Sequence, residues 1–101
     1  MVIKIMPSNT NSSPTGKLAD AEVHFTDGAF DGLKLLGFAV WEKKSGTGRS
    51  VSFPSRAYSV NGARRNFSLL RPIGELKSQD RLRELVLQAY AEFEAQAAIA
   101  S

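Results

Sequence analysis

The stretch from Leu33 to Glu42, LKLLGFAVWE, constrains the fold most because it is apolar on both faces. In an extended strand, alternate side chains point to opposite faces of the sheet. One face would carry Leu33, Leu35 and Trp41, and the other would carry Leu36, Phe38 and Val40. This pattern predicts a central strand that is covered on both sides. A chain with one helix has difficulty covering both faces, so we expect a second subunit to supply the missing cover.

Four other segments have strand patterns. They are Val2 to Met6, Lys17 to Asp27, Ser50 to Phe53 and Arg65 to Arg71. Pro7 and Pro72 end the first and the last of them, since proline cannot donate a hydrogen bond to a ladder. From Lys17 to Asp27 the apolar residues Ala19, Ala21, Val23 and Phe25 alternate with polar ones. That alternation predicts a strand with one face in water.

Turn residues separate these segments. The stretch from Ser8 to Gly16 is a predicted flexible hairpin loop, and Lys43 to Gly48 is a predicted hairpin turn. Two further turns are expected in the SFPSR segment, residues 52–56, and at Val60-Asn61-Gly62.

The last segment has the spacing of an amphipathic helix. Ser78 is the expected N-cap, and Asp80 in the first turn suits the helix dipole. Residues at helical spacing form one apolar stripe, which we interpret as core: Leu82, Leu85, Val86, Ala89, Tyr90 and Phe93. The end from Ala95 to Ser101 is expected to fray.

These elements predict an α+β fold, in which about five strands form a small antiparallel sheet beside a C-terminal amphipathic helix. The chain has 101 residues, which is enough for a single core, so residues 1–101 are read as one domain. Together with the doubly apolar strand, this predicts a homodimer.

The chain has no cysteine, which excludes disulfides and thiolate metal sites. No stretch approaches the roughly 20 apolar residues of a membrane helix, and MVIKIMP is too short for a signal peptide. We therefore expect a cytoplasmic protein with no membrane partner.

Positive charge is concentrated in one segment. Residues 1–48 hold five lysines and five acids, and residues 74–101 hold three bases and five acids. Residues 49–73 hold no acid and five arginines: Arg49, Arg56, Arg64, Arg65 and Arg71. The net charge of +3 thus hides a local positive field.

The arginine segment is either a solvated surface or an anion-binding site. Every base in it is arginine, which grips phosphates with two donors and stacks on bases. Tyr58 lies between the arginines and offers a stacking surface. We therefore predict a nucleic-acid site in which the two turns hold Arg56, Arg64 and Arg65 beside one another. Arg49 and Arg71 would also contact phosphates, and Lys43 and Lys44 would extend the positive rim.

The residues expected of an enzyme are scarce. His24 is the only histidine, and no nucleophile motif lies near it, so we interpret it as a solvent-facing strand residue. Gly46 and Gly48 do not open a helix, as a phosphate-binding loop would require, and a hairpin turn explains them. We predict no catalytic residue, no metal site, no cofactor and no small-molecule substrate.

Several segments in the same order resemble the stage V sporulation protein G family of small bacterial proteins, the septation regulators. They are Ser50 to Arg56, Gly62 to Asn66, Arg71-Pro72-Ile73 and Val86 to Tyr90, with Gly16 to Leu36 in the place of the family's first long hairpin. Asn66 stands where the family usually has aspartate, so the chain resembles a divergent member.

The resemblance implies a dimer with an antiparallel sheet and a packed C-terminal helix, which binds DNA and RNA with limited sequence preference. Our expectation is therefore a nucleic-acid-binding regulator. The alternative is a protein interaction module, in which a sheet edge or helix face recruits a partner and the arginines grip its acidic groups. Steep salt dependence of binding to nucleic acid would distinguish the two, because counterion release accompanies phosphate contacts.

Overall fold

The computed structural model of the protein describes residues 1–8 and 15–100. Within them the fold is α+β, which confirms the predicted class. The elements are the strands β1 (Val2–Pro7), β2 (Lys17–His24), β3 (Lys34–Glu42), β4 (Arg49–Ser52), β5 (Ser55–Val60) and β6 (Ala63–Ser68), a 3₁₀ turn (Gly28–Phe30) and the helix α1 (Lys77–Ala100). The predicted loop from Ser8 to Gly16 falls mostly on residues 9–14, outside the described residues.

The strands form two antiparallel sheets. The first has the order β1-β2-β3-β4, and the second consists of β5 and β6 alone. β3 lies between β2 and β4, so its predicted central position is confirmed. The expectation of about five strands in one sheet missed β5, because only Phe53 and Pro54 of the predicted SFPSR turn lack strand structure. Arg56 already lies in β5.

One face of the four-stranded sheet packs against α1 and forms the core. The buried residues of this core are Ala19, Ala21, Val23, Phe38, Val40, Val86 and Tyr90. The predicted alternation of β2 is thereby confirmed for its three buried residues. Phe25 lies beyond the end of β2 and is half-buried.

A β-bulge changes the predicted alternation of β3. Phe38 pairs with Ala21 and Leu35 pairs with Val23, so Leu36 and Gly37 both stand opposite the single residue between them on β2. Two residues opposite one shift the parity of the strand. Leu35 therefore packs against the core on the same side as Phe38, whereas Leu36 is 53% exposed. The prediction that Leu36 shares a face with Phe38 was wrong for this reason.

The face of the four-stranded sheet that α1 does not cover, which we call the open face, is part charged and part apolar. Its β2 positions carry polar contacts: Lys17 Nζ to Asp20 Oδ1 at 2.6 Å, His24 Nε2 to Glu22 Oε1 at 2.8 Å, and Lys34 Nζ to Glu22 Oε1 at 3.4 Å. Beside them, Trp41 donates a hydrogen bond from Nε1 to Ser52 Oγ at 2.8 Å. An open depression here is lined in part by Leu36, Ala39 and Trp41. The second apolar face is thus confined to the neighbourhood of Trp41.

The helix begins at Lys77, so Ser78 lies in its first turn and the predicted N-cap was wrong. The chain already turns earlier, since the Ser78 N–H donates to the Glu75 carbonyl at 3.3 Å. Val86 and Tyr90 are buried as predicted, but Leu85 is 37% exposed. The helix continues to Ala100, so the expected fraying was wrong for residues 95–100, whose alanines and glutamine favour a helix, and Ser101 lies outside the described residues.

Among the described residues, no helix combines the length and the apolar character needed to cross a lipid bilayer.

Candidate nucleic-acid interface

The segment that carries most of the arginines is a β-hairpin. Asn61 and Gly62 have φ values of 52° and 80°, and Val60 pairs with Ala63 directly across them. A two-residue loop with positive φ at both positions matches the right-handed twist of the flanking strands, and Asn-Gly is its favoured sequence. The predicted turn at Val60-Asn61-Gly62 is confirmed at Asn61 and Gly62, whereas Val60 belongs to β5, and this turn fixes the register of the hairpin.

The hairpin projects from the rest of the chain. All of β5 is exposed, and so is β6 from Ala63 to Phe67. At its base, the Leu69 N–H donates to the Pro54 carbonyl at 2.9 Å. The radius of gyration is 15.1 Å, against about 13 Å for a compact chain of this length. The hairpin is therefore available to a ligand along most of its length.

One face of the hairpin combines arginine with aromatic side chains. Arg56 pairs with Phe67, and Tyr58 pairs with Arg65, so all four side chains point to the same side. The rings of Tyr58 and Phe67 lie 6.3 Å apart between centroids at 87°. We call the surface of these four residues the aromatic–arginine face. The Arg71 guanidinium lies over the Phe67 ring at 5.8 Å from its centroid and extends this face.

The opposite face of the hairpin is polar and has short side chains. It carries Arg64 with Ser55, Ala57, Ser59, Asn66 and Ser68. Arg64 and Arg65 are neighbours in the sequence, and neighbours in a strand point to opposite faces. The prediction that Arg56, Arg64 and Arg65 lie beside one another was therefore wrong for Arg64.

Arg49 is held at the junction between the sheet and the helix. Its Nη2 lies 3.3 Å from Glu94 Oε2, and its guanidinium lies over the Tyr90 ring at 5.9 Å from the centroid. Burial, followed by the nearby Glu94 carboxylate, raises the pKa of the Tyr90 hydroxyl. The charge of Arg49 is thus neutralised within the chain, and the structure separates it from the hairpin arginines.

The two predicted lysines lie in a turn of the four-stranded sheet, outside the hairpin. Lys43 and Lys44 are exposed in the turn that joins β3 to β4. The Lys43 N–H donates to the Gly48 carbonyl at 3.3 Å, and the Gly46 N–H donates to the Lys43 carbonyl at 2.8 Å. This confirms the predicted hairpin turn. The lysines add positive charge to a turn that is not part of the arginine hairpin.

The charge of the hairpin arginines is not balanced by any carboxylate of the described residues. Within the described part of the chain, no ion pair involves Arg56, Arg64, Arg65 or Arg71. Residues 55–68 contain three arginines and no acid. Their positive charge is therefore free to attract an anion.

Phe67 is a functional candidate that charge composition does not indicate. The sequence pattern marks it only as an alternating strand residue, but a two-residue loop at Asn61-Gly62 fixes the register by counting outward from the turn. That count places Phe67 opposite Arg56. The sequence therefore predicts the pairing of Phe67 with Arg56, provided that residues 55–60 form a strand.

The only histidine lies in a polar contact on the open face of the sheet. His24 Nε2 is 2.8 Å from Glu22 Oε1, and this hydrogen bond, with help from Lys34, lowers the pKa of the Glu22 carboxyl against the opposing effect of burial. Residues 1–8 and 15–100 contain no cluster of three or more His, Cys, Asp or Glu side chains that could hold a metal. A structural role accounts for the contact of His24 with Glu22.

The four-stranded sheet, the projecting hairpin and the helix define a fold that can be compared with known proteins. The chain matches no protein-family model, and comparisons with curated proteins and with solved structures also give no match. Any functional conclusion therefore depends on the motifs of the sequence and on the geometry of the hairpin.

Proposed function

We propose that the protein binds nucleic acid through the aromatic–arginine face and acts as a regulator of the stage V sporulation protein G type. The observation that carries the proposal is the exposed hairpin face with Arg56 and Arg65 beside Tyr58 and Phe67. Among the described residues, neither arginine has an ion-pair partner. A cytoplasmic location, where DNA and RNA are both accessible in a bacterium, fits this function.

The chemistry of the face suits phosphates and bases together. A guanidinium donates two parallel hydrogen bonds to a phosphate, and an aromatic ring stacks on any base. Because Arg56 and Arg65 form no ion pair among the described residues, binding replaces counterions of the nucleic acid instead of breaking internal ion pairs. Arg71 and the turn lysines Lys43 and Lys44 add to the attraction, whereas Arg49 stabilises the fold through Glu94.

We also propose that the protein is a homodimer that covers the open face of the sheet. Trp41 lies on that face, and the depression beside it includes the exposed side chains of Leu36 and Leu69. A permanent interface should bury at least about 1,000 Å² in total. Sedimentation at micromolar concentration tests this proposal. A monomer there contradicts it.

Binding to labelled DNA and RNA over a range of salt concentrations tests the functional proposal. The logarithm of affinity should fall against the logarithm of salt by about 0.9 per neutralised phosphate on duplex, or about 0.7 on single strands. Arg65→Ala should weaken binding to all sequences similarly and reduce this slope by about one unit.

Two controls separate a local face from net charge. Arg64→Ala removes the same charge from the same hairpin on the opposite face. Arg81→Ala removes it from the exposed surface of α1, where Arg81 makes no ion pair among the described residues. Arg83 is a poorer control, because it lies 2.6 Å from Asp80 and over the Phe53 ring. Equal losses in all three variants would show that net charge alone drives binding.

The alternative function is a protein interaction module that recruits an acidic partner. The outer edges of β5 and β6 are unpaired within the two-stranded sheet and offer backbone groups to an added strand. In that case DNA and RNA stay unbound at every salt concentration.

A further inference from the structure

We infer that the ligand of the aromatic–arginine face is single-stranded, with an unpaired base stacked on Tyr58 and neighbouring phosphates held by Arg56 and Arg65. This inference rests on the proposed function and names the class of nucleic acid that the hairpin takes. Three features of the hairpin support it: the composition of its two faces, the surroundings of the Tyr58 ring, and the placement of the two arginines.

The composition of the face favours unpaired bases over a duplex. The register places six residues on this side: Arg56, Tyr58, Val60, Ala63, Arg65 and Phe67. Four of the six are aromatic or aliphatic. A strand pair that reads a duplex needs hydrogen-bonding side chains at the base edges, because bases inside the duplex already stack on one another. Exposed rings gain more from bases whose faces are free.

The opposite face has the composition that duplex reading requires. It presents Arg64 and Asn66, side-chain types that hydrogen-bond base edges in the major groove, among short serine and alanine side chains. A duplex ligand would therefore depend on Arg64 and Asn66, whereas a single-stranded ligand depends on Tyr58, Arg56 and Arg65. A comparison of variants on the two faces distinguishes them.

Tyr58 is the ring with space for a base. Tyr58 and Phe67 are each 43% exposed, but among the described residues the one ring contact of Tyr58 is the edge-type contact with Phe67 at 6.3 Å. Phe67 contacts both Tyr58 and the Arg71 guanidinium. Phe67 thus holds Tyr58 in place from one side, and Tyr58 offers its ring to the ligand.

The two arginines flank the Tyr58 ring. Arg65 is directly opposite it, at the spacing of about 4.5–5.5 Å between Cβ atoms that cross-strand pairs have. Arg56 is two residues earlier on the same strand and the same face, about 7 Å along the strand. A base that stacks on Tyr58 therefore has a cation on each of two sides for the phosphates next to it.

The test measures binding by fluorescence anisotropy to oligo-dT, to oligo-U and to a duplex of equal length at one salt concentration. We expect the wild type to bind the single strands more tightly than the duplex. Tyr58→Leu keeps the apolar bulk and loses the π-face, so it should weaken single-strand binding about 5- to 150-fold. Tyr58→Phe keeps the stacking surface and should bind nearly as the wild type does. Asn66→Ala, on the opposite face, should leave single-strand binding unchanged.

Photocrosslinking gives a readout that needs no variant. An oligonucleotide with iodouracil in place of thymine should crosslink to Tyr58 of the wild-type protein, as mapped by mass spectrometry. Crosslinks confined to the opposite face would overturn the inference. Equal effects of Tyr58→Leu and Tyr58→Phe on single-strand affinity would overturn it as well, since the π-face would then play no part.

The failure of this inference differs from the failure of the proposed function. Duplex bound as tightly as single strands, with Arg65→Ala still weakening both, would refute single-strand selection and leave nucleic-acid binding intact. The absence of binding to all three probes would refute the function itself. A Tyr58→Leu variant that sediments as a smaller species while its single-strand affinity is unchanged would assign the ring to a subunit interface and overturn the inference.

Discussion

Gly37 lies at the bulge of β3, where an added side chain would press against Pro54. Its φ is +108°, a conformation that residues with a Cβ rarely adopt. A Cβ built there would lie 3.0 Å from Pro54 Cβ and 3.2 Å from Pro54 Cα. Pro54 is buried and leads directly into β5, so neither partner moves away easily. We therefore expect Gly37→Ala to destabilise the fold substantially.

Two costs add in this variant. A left-handed backbone costs a residue with a Cβ about 1–2 kcal/mol. Overpacking against a fixed neighbour costs about 1–3 kcal/mol. A mid-range total of about 3.5 kcal/mol lowers the Tm of a chain of this size by about 14–28 °C.

Gly32→Ala is the matched control for thermal melts followed by circular dichroism. Gly32 has a φ of +86°, but a Cβ there meets nothing within 4 Å. The Gly32→Ala variant should therefore lose only about 1–2 kcal/mol of stability, the cost of the left-handed backbone. The difference between the two variants isolates the contact with Pro54. Equal losses of Tm would refute the reasoning, because the overlap would then cost nothing.

Two further predictions concern the helix and the open face of the sheet. Tyr90→Ala should lower the free energy of unfolding, measured in urea, by about 3–5 kcal/mol because the Tyr90 ring is buried. Leu85→Ala should lower it by well under half as much because Leu85 is partly exposed. The pKa of Glu22 is lowered by the hydrogen bond from His24 and by Lys34, so its contribution to stability is present above its ordinary pKa and is lost as the pH falls through the lowered value. Glu22→Gln should therefore differ in stability from wild type near neutral pH and converge with it once the pH has fallen below the lowered pKa of Glu22, and a difference that persists there would contradict this assignment.

The sequence predicts the elements that are determined by residues close to one another along the chain. Ala19, Ala21 and Val23 alternate with polar residues, and this period alone places them in the core. The bulge of β3 cannot be predicted in this way. An extra residue shifts the alternation of the strand, and only the pairing with β2 reveals that residue. The strand β5 escapes it too, since Pro54 and the serines around it resemble a longer turn than the structure contains.

The same distinction between local and distant contacts applies to the residues of the candidate site. The Asn61-Gly62 turn fixes the pairing of Tyr58 with Arg65, so the aromatic–arginine face follows from local counting. The role of Arg49 does not, because its partner Glu94 is 45 residues away in the sequence. Charge composition alone treats Arg49 and Arg65 alike. Only the packing of α1 on the sheet distinguishes a structural arginine from one that is free to bind.

The local character of the hairpin also affects how this protein can diverge. The side chains of β5 are exposed, so substitutions there leave the core around Phe38 and Val86 undisturbed. If the hairpin binds its ligand as proposed, selection on ligand preference and selection on folding act on separate residues. The exposed face of the hairpin can then change quickly while the four-stranded sheet and α1 change slowly.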